Sequence, residues 1–365
     1  MIYLDYSATT PPFDEVVDSF VKVSKNCFAN PNSNHQIGFK ANKLIIEATE
    51  QIASILHIKE TEIIYTSGAS EANNQVIKSF LSSKKKTIIT TKYEHPSIIE
   101  PIKYMTKNGF KIKYVNLLKN GLVDLNHLKK LIDHEVILVS IGAVNSELGI
   151  RQPIEQIGQI LKNENILFHS DFSQIIGKQK ISFDFVDYAT FSGHKFFSLK
   201  GIGILYHKEK TNLNPLIDGG HSFTKYRAGT PTTELIIAIA KSLRLMYSNL
   251  EQNIEKVNNL NIFLKEELKK IKEIRINSDQ ACIPHIVNIS VMGIKSATIV
   301  NALSEKEIYL SSQTACSKNK QSELIYYLTK DQKRAESSIR ISLSHITTKK
   351  EIKEFINQLK QIINK

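Results

Sequence analysis

A lysine closes a short β-prone run, Ala189-Thr190-Phe191-Ser192-Gly193-His194-Lys195. Inside a protein an ammonium group is poorly solvated, which favours the neutral amine and lets it form a Schiff base with an aldehyde. Ser192 and His194 add hydrogen-bonding groups suited to a phosphate, and Gly193 lets backbone approach a ligand closely. These residues alone also fit a solvated lysine in a turn, so the reading leans on the rest of the chain. Asp171 follows the apolar run Ile166-Leu167-Phe168. An ionised carboxylate there needs a cationic partner, and a protonated pyridine nitrogen would provide one. Ser67-Gly68-Ala69-Ser70-Glu71 stands between a β-rich run and a helix, where free backbone N–H groups can hold an anion; it fits a plain helix cap equally well. Amine, carboxylate and anion cup together suit pyridoxal phosphate, with Lys195 as its covalent anchor.

Three cysteines, Cys27, Cys282 and Cys316, lie far apart, with neither metal-ligand spacing nor an even count for a disulfide framework. Cys316 sits in the polar, lysine-containing stretch from Leu310 to Lys320, where nearby positive charge favours the reactive thiolate. Cys27 and Cys282 are read as structural.

The elements that must position these residues alternate. Helical patterns run from Asp14 to Ser24, Lys40 to Leu56 and Leu125 to Ile132, with another led by Glu94-His95-Pro96-Ser97. Between them lie β-rich runs at Glu62 to Thr66, Thr87 to Thr91, Lys111 to Val115 and Val136 to Val144. Continuous β-branched runs separated by amphipathic helices predict an α/β fold whose parallel sheet is covered on both faces. Such sheets bind ligands at the carboxyl ends of their strands. Two further strand ends, Ala143 to Glu147 and Leu167 to Gln174, fall where that rule directs. A long helical stretch runs from Thr233 to about Ile271, with room for a break. Strand-like Ile274 to Asn277, His285 to Val291 and Ile339 to Leu343, with helices Ala297 to Leu303 and Lys349 to Ile363, then make a small α+β domain. Residues 13–250 are expected to form the large domain, and residues 1–12 with 251–365 the small one.

The 365 residues, 41% hydrophobic, can bury a full core. A net charge of +12 could help the chain meet an acidic partner such as RNA, although the lysines are dispersed and no RNA-binding motif stands out. No apolar stretch reaches membrane-spanning length, no signal peptide is recognisable, and the cysteine usage fits a reducing compartment. A cytoplasmic location is expected, with neither membrane nor DNA as partner.

Taken together, the motifs resemble the cysteine desulfurases of the NifS/IscS-like group, pyridoxal phosphate enzymes of the class V aminotransferase family. The likeness rests on residues 3–11, Thr66 to Asn74, Glu94-His95, His169-Ser170-Asp171 with Gln174, Ser192 to Lys195, Arg227 to Thr230, Ala315-Cys316 and Ser337 to Arg340. It implies a fold-type I homodimer: a mostly parallel central sheet sandwiched by helices, plus a small α+β domain. By position, Lys195 would carry the cofactor, His95 would stack on its ring and move protons, and Asp171 would pair with the pyridine nitrogen. Gln174 would hydrogen-bond the phenolic oxygen. The Ala69 backbone, Ser70, Ser192 and His194 would hold the phosphate, joined by Thr230 from the other subunit. Arg340 would clamp the substrate carboxylate, as its planar fork allows. Cys316 would take sulfur from L-cysteine as a persulfide, leaving L-alanine.

Some positions depart from the group's pattern. Val-Asn-Asn-Glu appears as Val144-Asn145-Ser146-Glu147, so either Ser146 or Asn145 would meet the cofactor, Asn145 also facing substrate. The chain stops directly after its last predicted helix, without the tail that group members use to dock an iron–sulfur scaffold. The sulfur acceptor, an iron–sulfur scaffold or a transfer RNA thiolation enzyme, therefore stays open. Two alternatives remain: a related transaminase or selenocysteine lyase, and a non-catalytic basic scaffold or RNA-binding protein.

Overall fold

The computed structural model describes residues 1–220, 222–312 and 321–364. Seven strands form the central sheet, in the order Ile63–Thr66, Gly203–His207, Tyr188–Ser192, Leu167–Asp171, Val136–Ser140, Thr87–Thr90 and Lys111–Tyr114. Neighbours are parallel except around Gly203–His207, which runs antiparallel to both Ile63–Thr66 and Tyr188–Ser192. The sheet is thus mixed but mostly parallel.

Adjacent residues on these strands feed opposite cores, because successive side chains leave a strand on opposite faces. Ile63, Ile89, Val139, Ala189 and Ile204 pack into one buried cluster with the helices Gln36–Leu56 and Thr233–Ser248. Ile64, Ile88, Leu138, Tyr188 and Leu205 pack into the other, against Ala69–Lys78 and Pro96–Lys107. Burial on both faces explains why the strands read as unbroken apolar runs rather than as alternation.

A second sheet, antiparallel, orders Ser338–Ser342, Ile286–Val291 and Ile274–Ile276. Its cluster, including Val287, Ile289, Ile339 and Ile341, is closed by Leu250–Lys269 and Lys349–Ile363. Leu4 joins this cluster, Ile2–Tyr3 pairs with Ile308–Tyr309, and Asp5 bridges to Ser342, so the first residues belong with the late ones.

Two details differ from the sequence expectations. The helix expected from Lys40 begins at Gln36, because the His35 side chain caps it by accepting from Gly38 N at 3.1 Å. The apolar run Val136 to Val144 is a strand only to Ser140; beyond it Gly142 and Val144 line the cavity. The break for which the long helical stretch left room falls at Asn249, between Thr233–Ser248 and Leu250–Lys269. A further amphipathic helix, Ile154–Asn163, lies between strands Val136–Ser140 and Leu167–Asp171 and has no counterpart among the expectations. Among the described residues, no helix is long and apolar enough to cross a membrane.

Candidate active site

The parallel strands end together, and a cavity of about 480 Å³ opens beyond them. Its lining includes Ala69, Ser70, His95, Asn145, Ser146, Asp171, Gln174, Ser192, His194, Lys195 and Arg340. Thr230 lies apart, exposed on the loop before Thr233–Ser248. Cys316 is outside the described residues. Among those described, no group of three or more His, Cys, Asp or Glu side chains is arranged for a metal ion.

Asp171 ends its strand with both oxygens engaged: Oδ1 accepts from Ser173 N at 2.8 Å, and Oδ2 from Asn73 Nδ2 at 2.9 Å. Asn73, wholly buried in helix Ala69–Lys78, also donates to Ser97 Oγ at 2.8 Å and accepts from Thr190 Oγ1. One amide thus ties the carboxylate to the neighbouring strand and to the next helix. Sequence reasoning quoted Asn73 within a motif and gave it no role. The available signal was a polar residue on the buried stripe Ala69, Ala72, Asn73 and Val76.

His95 caps helix Pro96–Lys107, its Nδ1 accepting from Ser97 N at 3.2 Å and lying 2.8 Å from Ser97 Oγ. A ring nitrogen that accepts from a backbone N–H bears no proton, so the neutral imidazole carries its hydrogen on Nε2. Burial lowers the His95 pKa, and Lys195 adds to this against the opposing pull of Asp171. The ring is therefore held neutral. Beside it, burial pushes Glu94 up to about 7, with the Asp171 charge contributing, although Thr91 Oγ1 and Gly142 N both donate to it.

Lys195 follows strand Tyr188–Ser192 in a single 3-10 turn, and its Nζ donates to the carbonyls of Ser7 and Ala8, each at 2.7 Å. Gln174 Nε2 shares the Ser7 carbonyl at 3.0 Å. Ser192 Oγ accepts from Ala69 N at 2.7 Å, joining this strand to the start of helix Ala69–Lys78. That junction is tight. A Cβ on Gly203 would stand 2.6 Å from Gly68 Cα, and Gly68 itself has φ +155°, so both positions require glycine. His194 Nδ1 meets Thr9 Oγ1 at 3.1 Å, and burial, aided by three lysines, holds its pKa at about 4.

Arg340 reaches the cavity from the second sheet and is 1% exposed. Nη2 donates to Asp5 Oδ1 at 2.8 Å and Nη1 to Ser146 O at 2.9 Å, while Nε is buried without a partner among the described residues. Two of its five N–H groups are committed, leaving one on each Nη and that on Nε. Asp5 in turn accepts from Ser311 Oγ at 2.8 Å. Asn145 spends Oδ1 on the backbone of Glu147 and Leu148, and its Nδ2 reaches Tyr93 O at 3.3 Å. Burial raises the pKa of Glu147, whose Oε1 has no partner among the described residues, against opposing effects of Ser322 and Arg340. Cys282 is pushed up to about 12 by burial and by Asp279, which makes it a poor nucleophile.

A family model described as aminotransferase class-V matches residues 2–355. The chain belongs to the class V aminotransferases. Within that family it is 35% identical to cysteine desulfurase IscS of Dictyoglomus turgidum, over all of this chain and 95% of that protein. A solved NifS-like protein is 33% identical and superposes with a TM-score of 0.94, covering all of this chain and 99% of its own. SspA, solved in complex with cysteine, is 29% identical with a TM-score of 0.84, covering 95% of this chain and all of its own. The mixed, mostly parallel seven-stranded sheet is the fold type I architecture of the family's pyridoxal phosphate enzymes.

Proposed function

We propose that this chain is a pyridoxal phosphate-dependent cysteine desulfurase that converts L-cysteine to L-alanine and takes the sulfur as a persulfide on Cys316. The observation that carries the reading is a single cavity lined by Lys195, Asp171 and His95 from the central sheet and by Arg340 from the second sheet. Relatives named cysteine desulfurase along the whole chain, and a structural neighbour solved with cysteine, support it.

The donor set suits the cofactor. Asp171, fixed by Asn73 and Ser173, offers a carboxylate to a protonated ring nitrogen. The start of helix Ala69–Lys78, with Ser70, Ser192 and His194, suits a phosphate. Lys195 supplies the anchoring amine and Gln174 a donor for the phenolic oxygen. Thr230 is assigned to the partner subunit's phosphate site in a homodimer. Bound there, pyridoxal phosphate supplies an electron sink for the bonds around the substrate α-carbon.

The side chains then divide the work. The three uncommitted N–H groups of Arg340 hold the substrate carboxylate. Lys195, once its amine is free, takes the α-proton, and His95, whose Nε2 bears the hydrogen, stacks on the ring and helps move protons. The Cys316 thiolate attacks the substrate sulfur: the carbon–sulfur bond breaks, a sulfur–sulfur bond forms, and the carbon regains a proton. Cysteine plus thiol thus becomes alanine plus persulfide, which passes to an acceptor for iron–sulfur assembly or transfer RNA thiolation. Residues 1–12 and 251–365 form the smaller domain in this reading, a division supported by the cluster that unites Leu4 with Ile339 and Leu359.

The purified protein is expected to be yellow, with borohydride fixing the cofactor to Lys195. Mixed with L-cysteine, it should carry one added sulfur on Cys316 by mass spectrometry. Cys316→Ala should keep the colour and lose alanine formation; full turnover by that variant would refute Cys316 as the sulfur acceptor.

A further inference from the structure

Lys178 is a buried cation for which the chemistry above has no task. It is 7% exposed, and the charges acting on it, Lys195 and Arg340, are both positive. Burial, reinforced by those two, brings its pKa down to about 7. His285 is held neutral by burial and by the Lys178 charge, and among the described residues its Nδ1 lacks a partner. The one hydrogen bond of Lys178 Nζ among the described residues runs to Gln174 Oε1 at 3.2 Å. A lysine at this depth costs stability that an apolar side chain of similar length would not. Gln174 lines the cavity and Lys178 does not. The lysine stands behind the wall and reaches the site through this amide.

Lys178 Nζ donates here, and while it holds its proton it cannot accept, so the Gln174 atom that faces it is the carbonyl oxygen. The amide nitrogen is thereby turned the other way, where it donates to Ser7 O at 3.0 Å, the carbonyl that also accepts from Lys195 Nζ. A reversed amide would set Oε1 against that carbonyl, oxygen facing oxygen, and leave its N–H groups toward a cation. We propose that Lys178 is a positioning residue: it locks the Gln174 amide so that an N–H, rather than a carbonyl, faces the phenolic oxygen of the bound cofactor. The assignment rests on the pyridoxal phosphate reading given above.

A double-mutant cycle on the full chain tests it. Pyridoxal phosphate is titrated into apo wild type, Lys178→Met, Gln174→Ala and the double variant, and the dissociation constant and visible absorption maximum are read, with thermal unfolding as the check on folding. Lys178→Met is expected to bind roughly tenfold more weakly, with a displaced absorption maximum and an unfolding temperature that is not lowered. In the Gln174→Ala background the same change should have no further effect on either cofactor readout. Wild-type binding and spectrum in Lys178→Met, or an equal effect without Gln174, overturn the assignment. Should Lys178→Met fail to fold, Gln174→Glu carries the test. Its carboxylate pairs with Lys178 and turns an oxygen toward the cofactor, so this variant should melt higher than wild type yet bind at least roughly tenfold more weakly; unchanged binding overturns the assignment. A wild type that takes up no cofactor at all refutes the functional reading, and this assignment falls with it.

Discussion

The two charged anchors of the cavity are held in contrasting ways. Asp171 belongs to the central sheet, and its partners, Asn73 and Ser173, come from that sheet's own strand end and helix. Arg340 belongs to the second sheet, and it is held by Asp5 near the amino end and by the Ser146 carbonyl at the edge of the central sheet. The carboxylate is therefore fixed within one layer, whereas the guanidinium is fixed only when two sheets and the first residues meet. The contrast teaches that the Asp171 end of the proposed cofactor site can form locally, while the proposed substrate half is a product of the whole assembly.

That contrast predicts a separation of constants. Arg340→Lys, which loses the planar fork, should raise KM for L-cysteine on the order of 100-fold, the worth of a strong charged hydrogen-bond pair, and leave the cofactor dissociation constant within about twofold. An equal loss of cofactor affinity would break the comparison. Asn73→Ala should do the reverse, weakening the cofactor about tenfold while KM in saturating cofactor stays near wild type, because it strands Asp171, Ser97 and Thr190 without a shared partner. Asp5→Asn should have a smaller effect, raising KM about fivefold, since it weakens one hydrogen bond to Arg340 and keeps the other.

The smallest effect concerns Lys178 and is read in stability. The unfolded chain keeps this lysine's proton up to about pH 10.4, whereas the folded chain releases it near pH 7. Between those values the unfolded state binds more protons, so wild-type stability rises with pH across the window. Lys178→Met lacks this dependence. Its unfolding temperature should exceed that of wild type by about 2 °C or more at pH 7, and the gap should close as the pH approaches 10. A gap that is constant with pH would mean that the lysine is not forced toward its neutral form by folding.

Much of the central layer was legible in the sequence because its cues are local. Asp171 after an apolar run, Lys195 after a β-prone one and a small-residue turn before Ala69–Lys78 each announce a strand end, and the structure gathers all three around one cavity. Residues that act across long separations were harder to see. Arg340 entered through family likeness alone, and nothing in its neighbourhood points to Asp5, 335 positions away. Lys178 stands only four positions from Gln174 yet reads locally as one lysine among many; its burial near Lys195 and Arg340 shows only in the packed fold. The early start of helix Gln36–Leu56 was hidden for a related reason, since a histidine cap and an internal Gly38 are weak helix signals until the loop at Asn30 to Ser33 folds against them.

The segment from Ile2 to Thr10 touches almost every part of this machinery: it pairs with Ile308–Tyr309, lends Asp5 to Arg340, and offers the carbonyls of Ser7 and Ala8 to Lys195. A ribosome makes these residues some three hundred positions before their partners at 308–342 emerge. The central layer can begin to organise during translation, but a chain arrested before Arg340 would hold Lys195 near its place without the guanidinium that completes the pocket. Competence for turnover should therefore switch on late in synthesis and as a single event, instead of growing as the chain lengthens.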